Sequence, residues 1–288
     1  MKQRCPDPEC KSSYFTKDGT FYRHDDSQSI QRYRCKICGK RFSSASLSLQ
    51  RYQKKRTKNR LVFELLASSM SMRRIAKVTR LNKNTIQRKV DYLALEAKKY
   101  QRKFLAENFK KFDRVQFDDL ITTEKTKLKP VSVSLATDAN SRLILGAKVS
   151  QIPAFGHLAR LSRSKYGSRK NKHKEALDTL FKELQICVHP RVNFASDEHK
   201  FYPEFVKKYF PQAQHERYKG GRACVVGQGE LKRKKQDPLF YINHACATLR
   251  DNIKRLTRKT WCVTQRVDNL QKHLDIFIWY HNTVMRSG

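Results

Sequence analysis

Cysteine and aspartate side chains are spaced in this sequence so that they could bind metal ions. Cys5 and Cys10 form a C-x4-C pair, and Cys35 and Cys38 form a C-x2-C pair that is followed by Gly39. Two such turns present four thiolates to one tetrahedral Zn²⁺, and glycine suits a turn where backbone passes close to sulfur. We therefore expect a structural zinc ribbon that does not fold without its metal. The alternative is four unrelated thiols.

Acidic residues end two apolar stretches that are typical of strands. VQFDDL carries Asp118 and Asp119, and VNFASD ends in Asp197. A carboxylate at a buried strand end is costly unless it holds cations or accepts hydrogen bonds. Two such strands side by side would hold Mg²⁺ between their acids, as in the two-metal chemistry of phosphodiesters. The alternative is that Asp118 or Asp119 caps a turn and Asp197 caps a helix at 200–209.

The charge of the chain predicts a polyanionic partner. Its 288 residues include 62 Lys and Arg against 26 Asp and Glu, a formal charge of +36. Neutralisation of phosphates by basic side chains supplies most non-specific affinity for nucleic acid, so double-stranded DNA is the preferred partner over a membrane surface. No apolar run approaches the roughly 18 residues of a spanning helix. The first residues lack a signal peptide pattern, so we expect an intracellular protein without membrane contact.

A helix-turn-helix is predicted within MSMRRIAKVTRLNKNTIQRKVDYL, at residues 70–93. Apolar residues at helical spacing flank a turn around 81–83, and Asn84 is expected to cap the second helix. The front of that helix would then reach phosphates or base edges. The predicted DNA-contacting side chains are Thr85, Gln87, Arg88 and Lys89. The alternative is an ordinary basic helical hairpin.

The pattern of the remaining residues predicts an α/β domain. Three strand-like runs (VQFDDL, VSVSLATD and RLILGAKVS) precede a helix at 173–185, the strand VNFAS, the helix PEFVKKYF and two C-terminal helices. Residues 153–175 are interpreted as a basic loop or insertion. We predict a multidomain chain, with a zinc ribbon at 1–48, a helical helix-turn-helix domain at 49–110 and an α/β domain at 111–288. An RNase H-like layout is compatible with this pattern, but the pattern alone does not separate it from other α/β folds.

The order of these parts resembles the DDE transposases of small bacterial insertion sequences. The resemblance covers nearly the whole chain and is carried by the ribbon, the helix-turn-helix, FDD, SDEHKFYP and the basic stretch LRDNIKRLTRKTW. It implies an RNase H-like catalytic domain that uses Mg²⁺ or Mn²⁺ to cut and join DNA at terminal inverted repeats. It also implies a homodimer in the bacterial cytoplasm, associated with the nucleoid. On this match Asp118 is the first acid and Asp197 the second, with Asp138 a less favoured substitute.

The third acid of that family is a Glu at the start of the C-terminal helix, where this chain has Asn243. At about 100° per residue, one apolar stripe is formed by Leu239, Ile242, Cys246, Leu249, Ile253 and Leu256. Asn243 lies at the margin of this stripe, whereas His244 and Asp251 lie almost opposite. An Asn oxygen can ligate Mg²⁺, so Asn243 is the preferred third site residue. The alternatives are a helix-capping role for Asn243, or His244, Glu198 or Glu230 as the third ligand.

The same helix is expected to follow the DNA backbone. Arg250, Lys254 and Arg258 lie along it, and the basic stretches 160–174 and 231–235 are interpreted as further phosphate-contacting loops. A solvated basic face is the alternative.

Three functions are compatible with these residues. The first is an insertion-sequence transposase that binds element ends and catalyses metal-dependent DNA cleavage and strand transfer. The second is a catalytically inactive, transposase-derived DNA-binding protein that acts as a repressor or architectural factor. The third is a structure-specific nuclease that uses the same acids without recognising ends.

Overall fold

The structure, a computed structural model, describes residues 4–51, 53–219, 237–257 and 261–286, without the side chain of residue 47. It divides into two compact units. The first comprises Met1–Glu64 and Met72–Glu96, and the second comprises Leu65–Ser71 and Ala97–Gly288. The first unit includes the region predicted as a zinc ribbon and most of the region predicted as a helix-turn-helix domain. Among the described residues, no helix is both long and apolar enough to cross a membrane.

The first unit begins with a small antiparallel sheet and continues with helices. Its strands, in the order β1-β2-β3, are β1 (Phe15–Arg23), β2 (Gln28–Cys35) and β3 (Arg41–Ser43). Polar and aromatic residues alternate at 20–23 and 31–34, a pattern typical of short strands, and both stretches lie within β1 and β2. The helices that follow are α1 (Ser44–Leu47), α2 (Asn59–Ala67), α3 (Met72–Thr79) and α4 (Lys83–Glu107), with a 3-10 turn at Arg56–Lys58 before α2. The last residues of α2 and α4 fall in the second unit.

The two predicted helices of the helix-turn-helix region are α3 and the start of α4. Ile75 and Ile86 are fully buried, as expected for apolar residues at helical spacing. The predicted cap is wrong, because α4 begins at Lys83, one residue before Asn84. The side-chain oxygen of Asn82 instead accepts the Asn84 N–H at 2.8 Å, which satisfies a free donor of the first turn.

The second unit is built on a five-stranded mixed sheet in the order β6-β5-β4-β7-β8. Its strands are β4 (Phe112–Glu124), β5 (Thr126–Asp138), β6 (Ile144–Gln151), β7 (Val188–Asp197) and β8 (Gln214–Tyr218). Strand β5 is antiparallel to both β4 and β6, whereas β7 is parallel to both β4 and β8. Its helices are α5 (Leu158–Tyr166), α6 (His173–Cys187), α7 (Tyr202–Tyr209), α8 (Phe240–Asn252) and α9 (Val267–Tyr280), and a π turn, His281–Met285, follows α9.

The predicted strand and helix order of this unit is confirmed, with three corrections. Residues 153–175 are not only a loop, because they contain α5, whose Ser162 hydroxyl donates to the Leu128 carbonyl of β5. The polar edge strand β8 was not predicted, since QHERY lacks the apolar alternation of a buried strand. Helix α8 ends at Asn252 instead of continuing through the basic stretch, because Ile253 has extended backbone angles.

The alternation of side chains along β4 creates two cores, one on each face of the sheet. Val115 and Phe117 lie in the core formed with α6 and α7. Phe117 makes edge-to-face contacts with Phe181 of α6 and Phe194 of β7 at centroid distances of 5.2 and 5.4 Å. Leu120 faces the opposite core, which is formed with α8 and α9. The same alternation places the adjacent residues Asp118 and Asp119 on opposite faces of the sheet.

Candidate functional site

The four N-terminal cysteines form one cluster in the first unit. The Cys5 and Cys38 Sγ atoms are 3.6 Å apart and those of Cys10 and Cys35 are 3.7 Å apart, with all four within 4.8 Å of one another. Sulfur atoms at about 2.3 Å from a tetrahedral Zn²⁺ would be about 3.8 Å apart. These distances are far longer than a disulfide bond of about 2.05 Å. The cluster could therefore hold a metal such as zinc.

The turn after β2 fixes half of this cluster. Gly39 has a positive φ of 72° and its N–H donates to the Cys35 carbonyl at 3.1 Å. Hydrogen bonds from the backbone N–H groups of Cys38 and Ile37 lower the pKa of the Cys35 thiol to about 7. The tight turn thus favours a thiolate, the form in which cysteine binds metal.

Asp118 and Asp197 are brought together by the parallel pairing of β4 with β7. In this pairing Val115 lies opposite Phe194, and Gln116 lies opposite Ala195. The same spacing continued by two residues places Asp118 beside Asp197, on the face that packs against α8. The two acids therefore lie on the same face of the sheet, and the negative charge of Asp197 contributes to the raised pKa of Asp118.

Burial raises the pKa of Asp118 to about 7. Repulsion from the charges of Asp197 and Asp119 adds to this rise. The Asp119 N–H, which donates to the Asp118 carboxylate at 2.7 Å, and the positive charge of Arg250 oppose it. A strongly perturbed carboxyl beside a second acid is a feature of functional sites as well as of structural ion networks. A cation at this position would relieve the repulsion.

Helix α8 packs in the core on the same face of the sheet as the carboxylate pair. The Gln116 amide fixes the helix, donating to the Pro238 carbonyl at 2.8 Å and accepting the Ile242 N–H at 3.1 Å. Burial raises the pKa of the Cys246 thiol to about 12, and the negative charge of Asp118 contributes. Cys246 and Arg250 are therefore the α8 residues whose charges or titration are coupled to Asp118.

Asn243 is exposed in the first turn of α8 and its amide donates to the Asp237 carboxylate at 2.9 Å. The alternative that Asn243 caps the helix is wrong, because α8 begins at Phe240 and its N-cap residue is Leu239. Asp251 and Glu198 are also exposed, whereas His244 is half-buried. Asp138 is buried and holds the turn after β5, accepting hydrogen bonds from the N–H and hydroxyl of Ser141. The predictions for Glu230, Arg258 and residues 231–235 lie outside the described residues.

Asp119 lies at the centre of a polar network that the sequence did not predict. Its carboxylate accepts hydrogen bonds from Ser132 and Ser134 at 2.6 Å and from the Tyr202 hydroxyl at 2.8 Å. The His173 Nε2 atom is 2.7 Å from Asp119 Oδ2. Burial opposes ionisation, but the His173 partner and the two serines hold the pKa of Asp119 below its usual value.

One ligand atom each from Asp119, His173 and His199 lie within 4.8 Å of one another. An Asp/His group with this geometry could hold a metal ion. The one sequence signal for this network was the alternation in VSVS, which puts Ser132 and Ser134 on a single face of β5 opposite Asp119. Nothing in local sequence marks the two histidines, because they come from different elements.

The predicted DNA-contacting residues of α4 differ in their surroundings. Arg88 is exposed and, with Thr85, lines an open groove of the first unit; the groove is also lined by Leu49, Arg51, Gln53, Lys54, Lys89, Asp91, Tyr92 and Leu95. The Gln87 amide donates to Asp91 at 3.2 Å. Lys89 differs from expectation, because it is 1% exposed and its ammonium donates to the carbonyl of Lys55 and the side chain of Asn59. Its ammonium group therefore makes hydrogen bonds inside the first unit and is not available to contact DNA.

Comparison with known proteins assigns no family to the chain. It matches no protein-family profile, and no curated protein sequence matches it.

Proposed function

We propose that the chain catalyses metal-dependent cleavage and transfer of DNA strands, as an insertion-sequence transposase with an RNase H-like second unit. The observation that carries the proposal is the parallel pairing of β4 with β7, whose register, continued by two residues, brings Asp118 level with Asp197. The negative charge of Asp197 contributes to the raised pKa of Asp118, which agrees with this register. The strand order β6-β5-β4-β7-β8, with three antiparallel strands followed by two parallel ones, supports the RNase H-like assignment. The terminal inverted repeats of the element would be the substrate, held by a homodimer.

The carboxylate pair suits a hard divalent cation. Asp118 and Asp197 offer oxygen ligands, and the raised pKa of Asp118 reflects two acids in a buried setting without enough positive charge. Bound Mg²⁺ or Mn²⁺ would activate water or a 3′-hydroxyl and stabilise the leaving oxygen. The protein contributes the paired strands β4 and β7, which position the two acids, and α8 lies on the same face of the sheet.

Positive charge supports DNA as the substrate. The formal charge of +36 is large for 288 residues, and Arg88 lies exposed on a groove at the front of α4. Arg250 and Lys254, both half-buried on or just beyond α8, would guide the strand to the acids. Zinc in the cysteine cluster would hold the first unit in the shape needed for end recognition.

The second candidate function is a DNA-binding protein without catalysis, derived from a transposase. Arg250 favours it, because the positive charge of its guanidinium opposes the rise of the Asp118 pKa. Arg250 thus supplies positive charge where a metal ion would otherwise act. The position of Asn243, exposed and bonded to Asp237, favours it as well. A protein of this kind would act as a repressor or an architectural factor.

The deciding experiment is cleavage of labelled DNA that carries the sequences flanking the gene, in Mg²⁺ and in Mn²⁺. Wild type is compared with Asp197→Asn, with Asn243→Ala and with the control Asp113→Asn, which alters an exposed acid of the same strand β4. We expect metal-dependent nicking by wild type and by the control, and at least a hundredfold loss in Asp197→Asn with end binding retained. Loss in Asn243→Ala would place that residue in the working site. Tight binding without nicking in either metal would instead support the second function.

A further inference from the structure

We propose that Asp119, His173 and His199 form another metal site in the second unit, on the opposite face of the sheet from the Asp118 and Asp197 pair. The three side chains come from the middle of β4, the first residue of α6 and the segment between β7 and α7. Their ligand atoms lie within 4.8 Å of one another, which is compact enough for one ion. The site is separate from the cysteine cluster, which belongs to the first unit.

The position of the His173 imidazole points to an ion. Nε2 is 2.7 Å from Asp119 Oδ2, and this buried atom has no other partner among the described residues. The residue itself is only 5% exposed. Two ligands at about 2.1 Å from one metal would be about 3.4 Å apart in tetrahedral geometry and about 3.0 Å apart in octahedral geometry. The 2.7 Å between the His173 and Asp119 atoms is shorter than either spacing, so a bound ion would move these two side chains apart by a few tenths of an ångström.

The Asp119 carboxylate is held in place as metal-binding carboxylates are. Ser132 and Ser134 both donate to Oδ1, and the Tyr202 hydroxyl donates to Oδ2. Outer partners of this kind orient a ligand and are a regular part of metal sites. Tyr202 is itself 1% exposed, and its ring packs against His199 at a centroid distance of 4.9 Å. The surroundings thus fix both the acid and one histidine.

The ligand set selects the class of ion. Two imidazole nitrogens and one carboxylate suit first-row transition ions such as Zn²⁺, Mn²⁺ or Fe²⁺, whereas Mg²⁺ prefers oxygen ligands alone. The two metal sites of the unit would therefore differ in their preferred ions, although Asp118 and Asp119 are adjacent. His199 links them, because its backbone N–H donates to Asp197 Oδ1 at 3.0 Å. An ion on His199 would also fix the segment that follows Asp197.

Zinc content distinguishes this site from a simple buried pair of Asp119 and His173. The full-length chain is prepared with Asp197→Asn, so that the carboxylate pair is weakened, and zinc per chain is measured after equilibration at limiting free Zn²⁺. We expect two zinc ions per chain in this background, one of them in the cysteine cluster. Adding His173→Gln or His199→Ala should leave one ion, and adding His189→Ala, which changes an exposed histidine of β7, should leave two.

A second measurement tests the site without depending on whether the buried His173 variant folds. His199 is only half-buried, so His199→Ala is the variant on which the conclusion depends. Titration with Mn²⁺, which thiolates bind weakly, should show at least tenfold weaker binding in His199→Ala, with an unchanged melting temperature in the metal-free state. One zinc ion per chain in the Asp197→Asn background would overturn the proposal. Equal Mn²⁺ affinity of His199→Ala and the protein that retains His199 would also overturn it, in favour of a metal-free pair of Asp119 and His173.

Discussion

At the scale of single residues, Asp118 makes a prediction about stability and pH. Its pKa rises from 3.8 in the unfolded chain to about 7 in the folded protein, so the folded state binds more protons between these values. Its contribution to stability is therefore complete below pH 3.8 and is lost as pH rises through about 7. In metal-free buffer, Asp118→Asn should be more stable than wild type at pH 8 by roughly 2–4 kcal/mol, and the gap should close towards pH 4.

Urea denaturation at a series of pH values measures this gap. Adding Mg²⁺ at pH 8 should stabilise wild type but not the variant, since an ion that binds only the folded state raises stability by mass action. Asp113→Asn is the control for removal of an acid from β4. A gap that is the same at pH 4 and pH 8 would rule out Asp118 as the titrating group.

Single residues also show where the sequence was informative and where it was not. The spacing of Cys5, Cys10, Cys35 and Cys38 was sufficient to predict their cluster, because metal ligands on tight turns have local signatures. Lys89 shows the opposite case. A lysine at the front of a basic helix is usually solvated, and only the fold shows that Asn59 and backbone carbonyls surround its ammonium.

At the scale of elements, Gln116 makes the second prediction, because it joins β4 to the start of α8. Its amide satisfies the Pro238 carbonyl and the Ile242 N–H, both of which would lose their partner in Gln116→Ala. We expect this variant to lose about 1–3 kcal/mol of stability and to increase hydrogen exchange at the Ile242 amide. Gln265→Ala, at an exposed position, is the control. Unchanged exchange at Ile242 would show that packing alone fixes the helix.

The elements were predicted where apolar periodicity was strong. Strands β4, β5 and β6 and helix α6 are rich in buried residues, and the sequence indicated each of them. Helix α5 and strand β8 are polar, and they form through contacts with neighbours that no local pattern encodes: α5 bonds to β5 through Ser162, and β8 pairs with β7. The sequence did not predict the Asp119 network for the same reason, since the N-termini of α6 and α7 meet β4 only in the fold.

At the scale of the whole molecule, the charge of +36 predicts binding that depends steeply on salt. Each phosphate contact releases counterions, so a protein that neutralises six phosphates should lose roughly a thousandfold in affinity between 50 and 200 mM salt. Fluorescence anisotropy with a duplex of arbitrary sequence measures this slope. Arg88→Ala should reduce the slope by about one unit, because this exposed arginine lies on the groove of the first unit.

Lys89→Met provides the contrast, because it removes the same charge from a buried position. It should lower stability while leaving the salt slope of the folded protein unchanged. The comparison separates the net charge of the chain from the charge that DNA contacts. If Arg88→Ala and Lys89→Met reduced the slope equally, the general electrostatic field of the molecule rather than the groove would account for binding. If neither changed it, the phosphate-contacting surface would lie elsewhere, and the basic residues on and beyond α8, beginning with Arg250, would be the next to substitute.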